Sequence, residues 1–318
     1  MNFQWYPGHM TRAKRQMMED IRLVDLVIEL LDARIPLSSR NPDIDEIAGG
    51  KSRLILLNKA DLADPKITSQ WMEYFGSKGL HVCCLSSLNA ADMKQISPIV
   101  QKACAKKLER DRRRGIKNRP VRAMVAGIPN VGKSTFINSY ARKAAAKTGN
   151  KPGVTKGRQW IRLSPTLELL DTPGILWPKF EDQSVGLKLA LIGSIKDELN
   201  NTEELSLELI KLLNERYPGA LDEFYKLEGV SVDDAISIDR DGAPSASDAG
   251  MSSDGARDLS GRSEPDQIIT LLKIARVRGC LKSKAELDTL KAAGLLLENF
   301  RNGRIGRFTL EQPDTSAG

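Results

Sequence analysis

Three short motifs stand in an order that few folds can accommodate. Asn58-Lys59-Ala60-Asp61 ends the apolar run 53–57, well ahead of Gly127-Ile128-Pro129-Asn130-Val131-Gly132-Lys133-Ser134, and Asp171-Thr172-Pro173-Gly174 follows both. The middle motif comes after Val121–Ala126 and opens a stretch that reads as a helix from about Lys133, the strand–loop–helix setting that a phosphate loop requires. Its glycines let backbone N–H groups curl round an anion, and the helix N-terminus adds favourable partial charge. If the first motif grips a purine and the third faces the same phosphates, stretches far apart in sequence must line one pocket.

The hydrophobic pattern supplies a fold able to do this. Apolar strands expected at 24–31, 53–57, 80–85, 121–126 and 167–170 alternate with helical stretches at 11–22, 66–78 and 92–113. Such alternation specifies an α/β architecture, a mostly parallel sheet with helices on both faces, whose ligands sit beyond the carboxyl ends of the strands. After Gly174 the character changes. Segments 183–192, 203–217, 221–227, 265–278 and 284–302 read as helices, whereas 237–263 is rich in Ser, Gly, Asp and Ala and reads as a disordered insert. The expected organisation is a nucleotide-binding domain over 1–178 and a small all-helical RNA- or ribosome-binding domain over 179–318.

The motif residues have distinct chemical tasks. In the phosphate loop, Lys133 is expected on the β- and γ-phosphates and the Ser134 hydroxyl on Mg²⁺, with Asn130, Val131, Gly132 and Thr135 completing the cradle. A carboxylate at Asp61 can accept from both N1–H and the exocyclic amine of guanine, donors that adenine lacks. Asn58 and the stem of Lys59 would brace the base, and Ser86-Ser87 sits where backbone N–H groups would meet guanine O6. Asp171 would hold Mg²⁺ through water, and the Gly174 N–H would meet the γ-phosphate. Between them, 149–156 suits a mobile switch whose Thr155 ligates Mg²⁺ and the γ-phosphate. A small GTPase ordinarily runs phosphate loop, switch, DxxG, base reader. With the base reader first, this chain is expected to be a circularly permuted P-loop GTPase domain. Ile175 stands where a Ras-like protein carries its water-positioning glutamine. An aliphatic side chain cannot orient water, so the catalytic group must come from elsewhere or turnover must be slow.

Charge points to a polyanionic partner. The 318 residues carry a net charge of +7, and segment 106–119 is densely basic with only two acids. The competing reading is a solvated helix end and linker. Cys83, Cys84, Cys104 and Cys280 have neither disulfide-framework nor metal-ligand spacing. No apolar run reaches membrane-spanning length, and the N-terminal residues lack a signal-peptide core, so the cytoplasm is the expected location.

These motifs, together with Trp5-Tyr6-Pro7-Gly8-His9-Met10, Asp32-Ala33-Arg34-Ile35-Pro36, Arg278-Gly279-Cys280 and Gly306-Arg307, closely resemble the circularly permuted GTPases of ribosome assembly of the RbgA/YlqF type. The resemblance implies a GTP hydrolase that binds an immature large ribosomal subunit, through rRNA and ribosomal proteins, and promotes its late maturation; a monomer is expected because nothing in the sequence suggests an obligate dimer. It also implies His9 as the group orienting the attacking water, alongside Lys133, Thr155 and Gly174, and Asn130 as a ligand for K⁺. A nucleotide-gated RNA-binding module in which hydrolysis is incidental is the alternative. An ATPase or kinase is disfavoured by Asp61.

Overall fold

The computed structural model describes residues 15, 17–116, 119–148, 160–170, 182–195, 201–231, 266–282 and 286–314. His9, Thr155, Asp171, Gly174 and the 237–263 insert lie outside the described residues. The described chain forms two compact units, one comprising 1–195 with 307–318 and the other 196–306.

Strand β1 (Leu26–Asp32) is buried along its whole length. It lies between β2 (Ser52–Asn58) and β4 (Val121–Ala126), parallel to both. Helix α1 (Pro65–Ser77) links β2 to β3 (His81–Cys84), which pairs in parallel with the outer side of β2. Helices α2 (Ile96–Ala103) and α3 (Ala105–Arg113) lead to β4, and α4 (Lys133–Thr148) follows it. Strand β5 (Trp160–Ser164) turns back antiparallel onto β6 (Leu167–Leu170), which is parallel to β4. The order across the sheet is β3-β2-β1-β4-β6-β5. Continuous apolar runs in the inner strands match a sheet with both faces covered. Glu29 is the exception in β1: it is buried, but Arg40 and Arg53 both donate to its carboxylate, as a buried charge demands.

Two expectations about this unit are corrected. The stretch 92–113 is not one helix. Pro98 lacks an N–H and is tolerated only in a first turn, so α2 starts just ahead of it, and the backbone turns off axis again at Cys104. The boundary drawn at 178/179 also moves. Helix α5 (Gln183–Leu191), capped by Asp182, buries Leu189, Ala190 and Leu191 within the sheet unit, and the strip from 307 returns to that unit.

The second unit is helical. Asn201 caps α6 (Thr202–Arg216), which buries Leu205, Leu209 and Leu213, a spacing of four that makes one apolar stripe. Helix α7 (Ala220–Tyr225) is short, and α8 (Asp266–Val277) and α9 (Thr289–Arg301) complete the group. The Tyr225 hydroxyl accepts from Asn299 Nδ2 at 2.9 Å, and the Arg278 guanidinium lies 5.0 Å over the same ring. Gly279, at φ 60°, ends α8 in the left-handed conformation that glycine tolerates, and the Cys280 N–H returns to Ala275 O. Helix α9 starts at 289, later than the expected 284, because Asp288 caps it and Leu287 bridges back to Leu281. No described helix is long and apolar enough to cross a membrane.

Candidate functional site

Parallel pairing puts the loops after β1, β2, β3 and β4 at the same end of the sheet. Asn58 and Asp32 are direct partners across the β1–β2 ladder, so the residues that follow each strand are neighbours from the outset.

The two halves of the expected pocket are joined by direct hydrogen bonds. Asn58, 1% exposed, donates from Nδ2 to Val131 O at 2.7 Å. Lys59 donates from Nζ to Asn130 O at 2.7 Å. Lys59, Asn130 and Gly132 all have positive φ, at 58°, 59° and 98°. The crossing therefore uses backbone conformations that cost a non-glycine residue energy and persist only where the surroundings fix them. At Gly132 a Cβ would lie 2.5 Å from Asn58 Nδ2. Gly132→Ala should accordingly weaken GDP binding by about 10- to 100-fold through strain and loss of the Asn58 link. Titration with a fluorescent GDP analogue checks this, and an unchanged Kd would sever the link between Asn58 and the loop.

Lys59 also lies 3.1 Å from Asp32 Oδ2. The Asp32 carboxylate is completely buried and accepts from Arg34 Nε at 2.9 Å and Nη2 at 2.8 Å. Burial alone would raise its pKa, but the Arg34 guanidinium and the Lys59 ammonium outweigh it and hold the carboxyl well below the usual carboxylate range. The Asp32-Ala33-Arg34 stretch thus orients the lysine of the next strand, a role its sequence did not disclose.

The loop after β3 corrects one expectation. The Ser86 N–H donates to Asp92 Oδ2 at 2.8 Å, and the Ser87 N–H and Oγ both donate to Asn58 Oδ1, at 3.0 and 2.8 Å. Their backbone donors are therefore spent inside the protein. Ser87 holds Asn58 and Ser86 is held by Asp92, rather than either offering its N–H to a base, and the next amide along the chain is that of Leu88. The fixed orientation of Asn58 follows from accepting at Oδ1 while donating at Nδ2.

At the phosphate loop, Lys133 Nζ lies 2.9 Å from Gly127 O and 3.4 Å from Ile128 O, which holds the ammonium over the loop. Ser134 and Thr135 are exposed in the first turn of α4, where helix N–H groups are available to an anion. Asn130 donates from Nδ2 to Gly193 O at 2.8 Å, and Ser194 Oγ donates to Pro129 O at 3.1 Å. The turn after α5 is thereby pinned to the loop, an anchor that no sequence signal marked. Asp61 is exposed just past β2. Leu170 closes β6, and the residues that follow it lie outside the described set.

The arrangement fits a guanine nucleotide: a braced base-side loop, an N–H-rich helix start, an ammonium above it and an exposed hydroxyl at Ser134. Comparison with known proteins agrees. Residues 122–219 match the 50S ribosome-binding GTPase family, beginning on β4 and leaving Asn58–Asp61 outside the match. Ribosome biogenesis GTPase A of Bacillus cereus is 42% identical over 99% of this chain and 95% of its own length. Mitochondrial ribosome-associated GTPase 1 of Bos taurus is 36% identical over 74% of this chain and 72% of its own. A GDP-bound YlqF structure superposes with a TM-score of 0.61 at 26% identity, covering 94% of this chain and all of that one. From the permuted motif order, the stitched pocket and full-length similarity, the chain belongs to the ribosome biogenesis GTPase A family of circularly permuted GTPases.

Proposed function

We propose that this GTPase acts on an immature large ribosomal subunit, promotes a late step of its assembly, and uses nucleotide state to gate its hold on rRNA. The observation that carries the reading is the pair of bonds Asn58–Val131 and Lys59–Asn130, which fuse base side and phosphate side into one pocket. In it, Asp61 would accept from the guanine edge and the Leu88 N–H would meet O6. Lys133 would neutralise the β- and γ-phosphates while Gly132 and Thr135 supply backbone donors. Ser134, Thr155 and Asp171 would hold Mg²⁺, which when bound draws charge from the phosphates. With Asn130 Nδ2 committed to Gly193, its Oδ1 is the atom that would face K⁺. His9 would orient water in place of the glutamine that Ile175 lacks, and Gly174 would sense the γ-phosphate.

The partner is inferred from charge and from relatives named for the ribosome. In α3 and the turn after it, Lys106, Arg110, Arg112, Arg113 and Arg114 are exposed, whereas Lys107 is spent internally on Asp111 and Asp25. Arg113 also pairs with the exposed Glu109, and the surface left for phosphate contacts is basic.

The test is GTP turnover in K⁺ and in Na⁺, with and without immature large subunits, alongside sedimentation with GDP or a non-hydrolysable GTP analogue. Turnover alone should stay near the ~10⁻⁴ s⁻¹ of unassisted Ras-type proteins, rise with subunits, and co-sedimentation should require the triphosphate state. Rapid turnover of the isolated protein would refute the gating.

A further inference from the structure

The helical unit, 196–306, is flanked by two segments that both belong to the sheet unit. The preceding segment ends on the phosphate loop through Gly193 and Ser194. The following one, a strip of irregular backbone at 308–311, ends on the base side. The Phe308 N–H donates to Leu62 O at 3.1 Å, one residue past Asp61. The Leu310 N–H donates to Arg34 O at 2.8 Å. Between them the completely buried Thr309 hydroxyl accepts from the Asp64 N–H at 3.1 Å and reaches Ala33 O at 3.5 Å. Glu311 then accepts at its carbonyl from Trp71 Nε1 and at its carboxylate from the Ser38 N–H.

The strip thus lies between the loop after β1 and the loop after β2. Asn58 is fixed on one side by Ser87 and Val131, but Leu62 and Asp64, at the far side of the same loop, are held by the strip. Asp64 in turn caps α1 by accepting from the Lys66 N–H at 2.8 Å. Asp61 therefore sits between two anchored points, one belonging to the sheet and one to a segment that follows the helical unit.

We propose that Phe308–Glu311 is a positioning element for guanine recognition, and that a force on the helical unit which loosens this strip speeds GDP release. The inference rests on reading Asn58–Asp61 as the base reader. Since each anchor stabilises the other, linkage requires the reciprocal effect: bound GDP must tighten the strip.

The experiment uses the full chain and a fluorescent GDP analogue. Thr309→Val keeps the shape but removes the hydroxyl, leaving the Asp64 N–H without this acceptor, whereas Thr309→Ser keeps it. The valine variant should release GDP about tenfold faster and discriminate less between GDP and inosine diphosphate, which lacks the amine read by Asp61. The serine variant should behave like the parent. In the unmodified protein, hydrogen exchange at Phe308 and Leu310 should slow on addition of GDP, a readout that stands even if the valine variant fails to fold. Unchanged release and discrimination in a folded Thr309→Val protein, or exchange in the strip indifferent to GDP, would overturn the proposal. If the parent chain does not prefer GDP over inosine diphosphate, the base-reader reading itself fails, and this inference with it.

Discussion

Asp61→Asn should cost GDP and GTP affinity on the order of 10³- to 10⁴-fold, about 4–5.5 kcal/mol, while admitting xanthine nucleotides in their place. The amide cannot accept from both N1–H and the exocyclic amine, but its NH₂ can donate to the O2 that xanthine carries there. Isothermal titration with GDP and xanthosine diphosphate decides the matter. Parent and variant should exchange preferences while their melting temperatures stay close, because Asp61 is exposed and braces nothing in the core. Equal loss of both nucleotides would instead place the base away from this loop.

The second large effect concerns stability. Asp32→Asn takes a carboxylate away from the Arg34 guanidinium, 1% exposed, and breaking one side of a buried pair costs roughly 3–5 kcal/mol. Because the folded carboxyl titrates below its unfolded value, the contribution of Asp32 is complete above the ordinary carboxylate range near ~4. It is lost progressively as pH falls from that range towards the depressed folded value, where the loss is complete. Urea melts should thus show a constant gap between parent and variant from neutral pH down to weak acid, narrowing only in strong acid. Asp32→Asn with Arg34→Met should regain part of the loss, since no buried guanidinium is then left facing a neutral amide. A gap that closed already near neutral pH would show that Asp32 is not held ionised by its neighbours.

Much of this was legible in the residues, and the limits have physical causes. Runs such as 26–32 and 53–57 announce buried parallel strands because no polar face interrupts them. The phosphate loop announces itself because glycines and a helix start are needed together. The short strand β5 went unread, since Trp160–Ser164 is brief and its partner lies across a tight turn. The role given to Ser86 and Ser87 failed because a sequence shows that donors exist, not where they are spent; Asp92 and Asn58 had already claimed them. The placement of 307–311 was invisible for a related reason. Each bond named for it has a backbone group on at least one side, and an N–H of phenylalanine or leucine carries no signature of the carbonyl it will meet. Of the sites assigned to His9, Thr155, Asp171 and Gly174, the sequence remains the source.

Thr309 and Ala33 are 276 residues apart, and this distance shapes how the protein matures. During synthesis, β1 and β2 emerge long before their last support exists. Closing so wide a span is entropically slow and delays completion until its far end is available. A nascent chain can therefore build most of its sheet while still holding guanine loosely, and full affinity should appear only late in its own production.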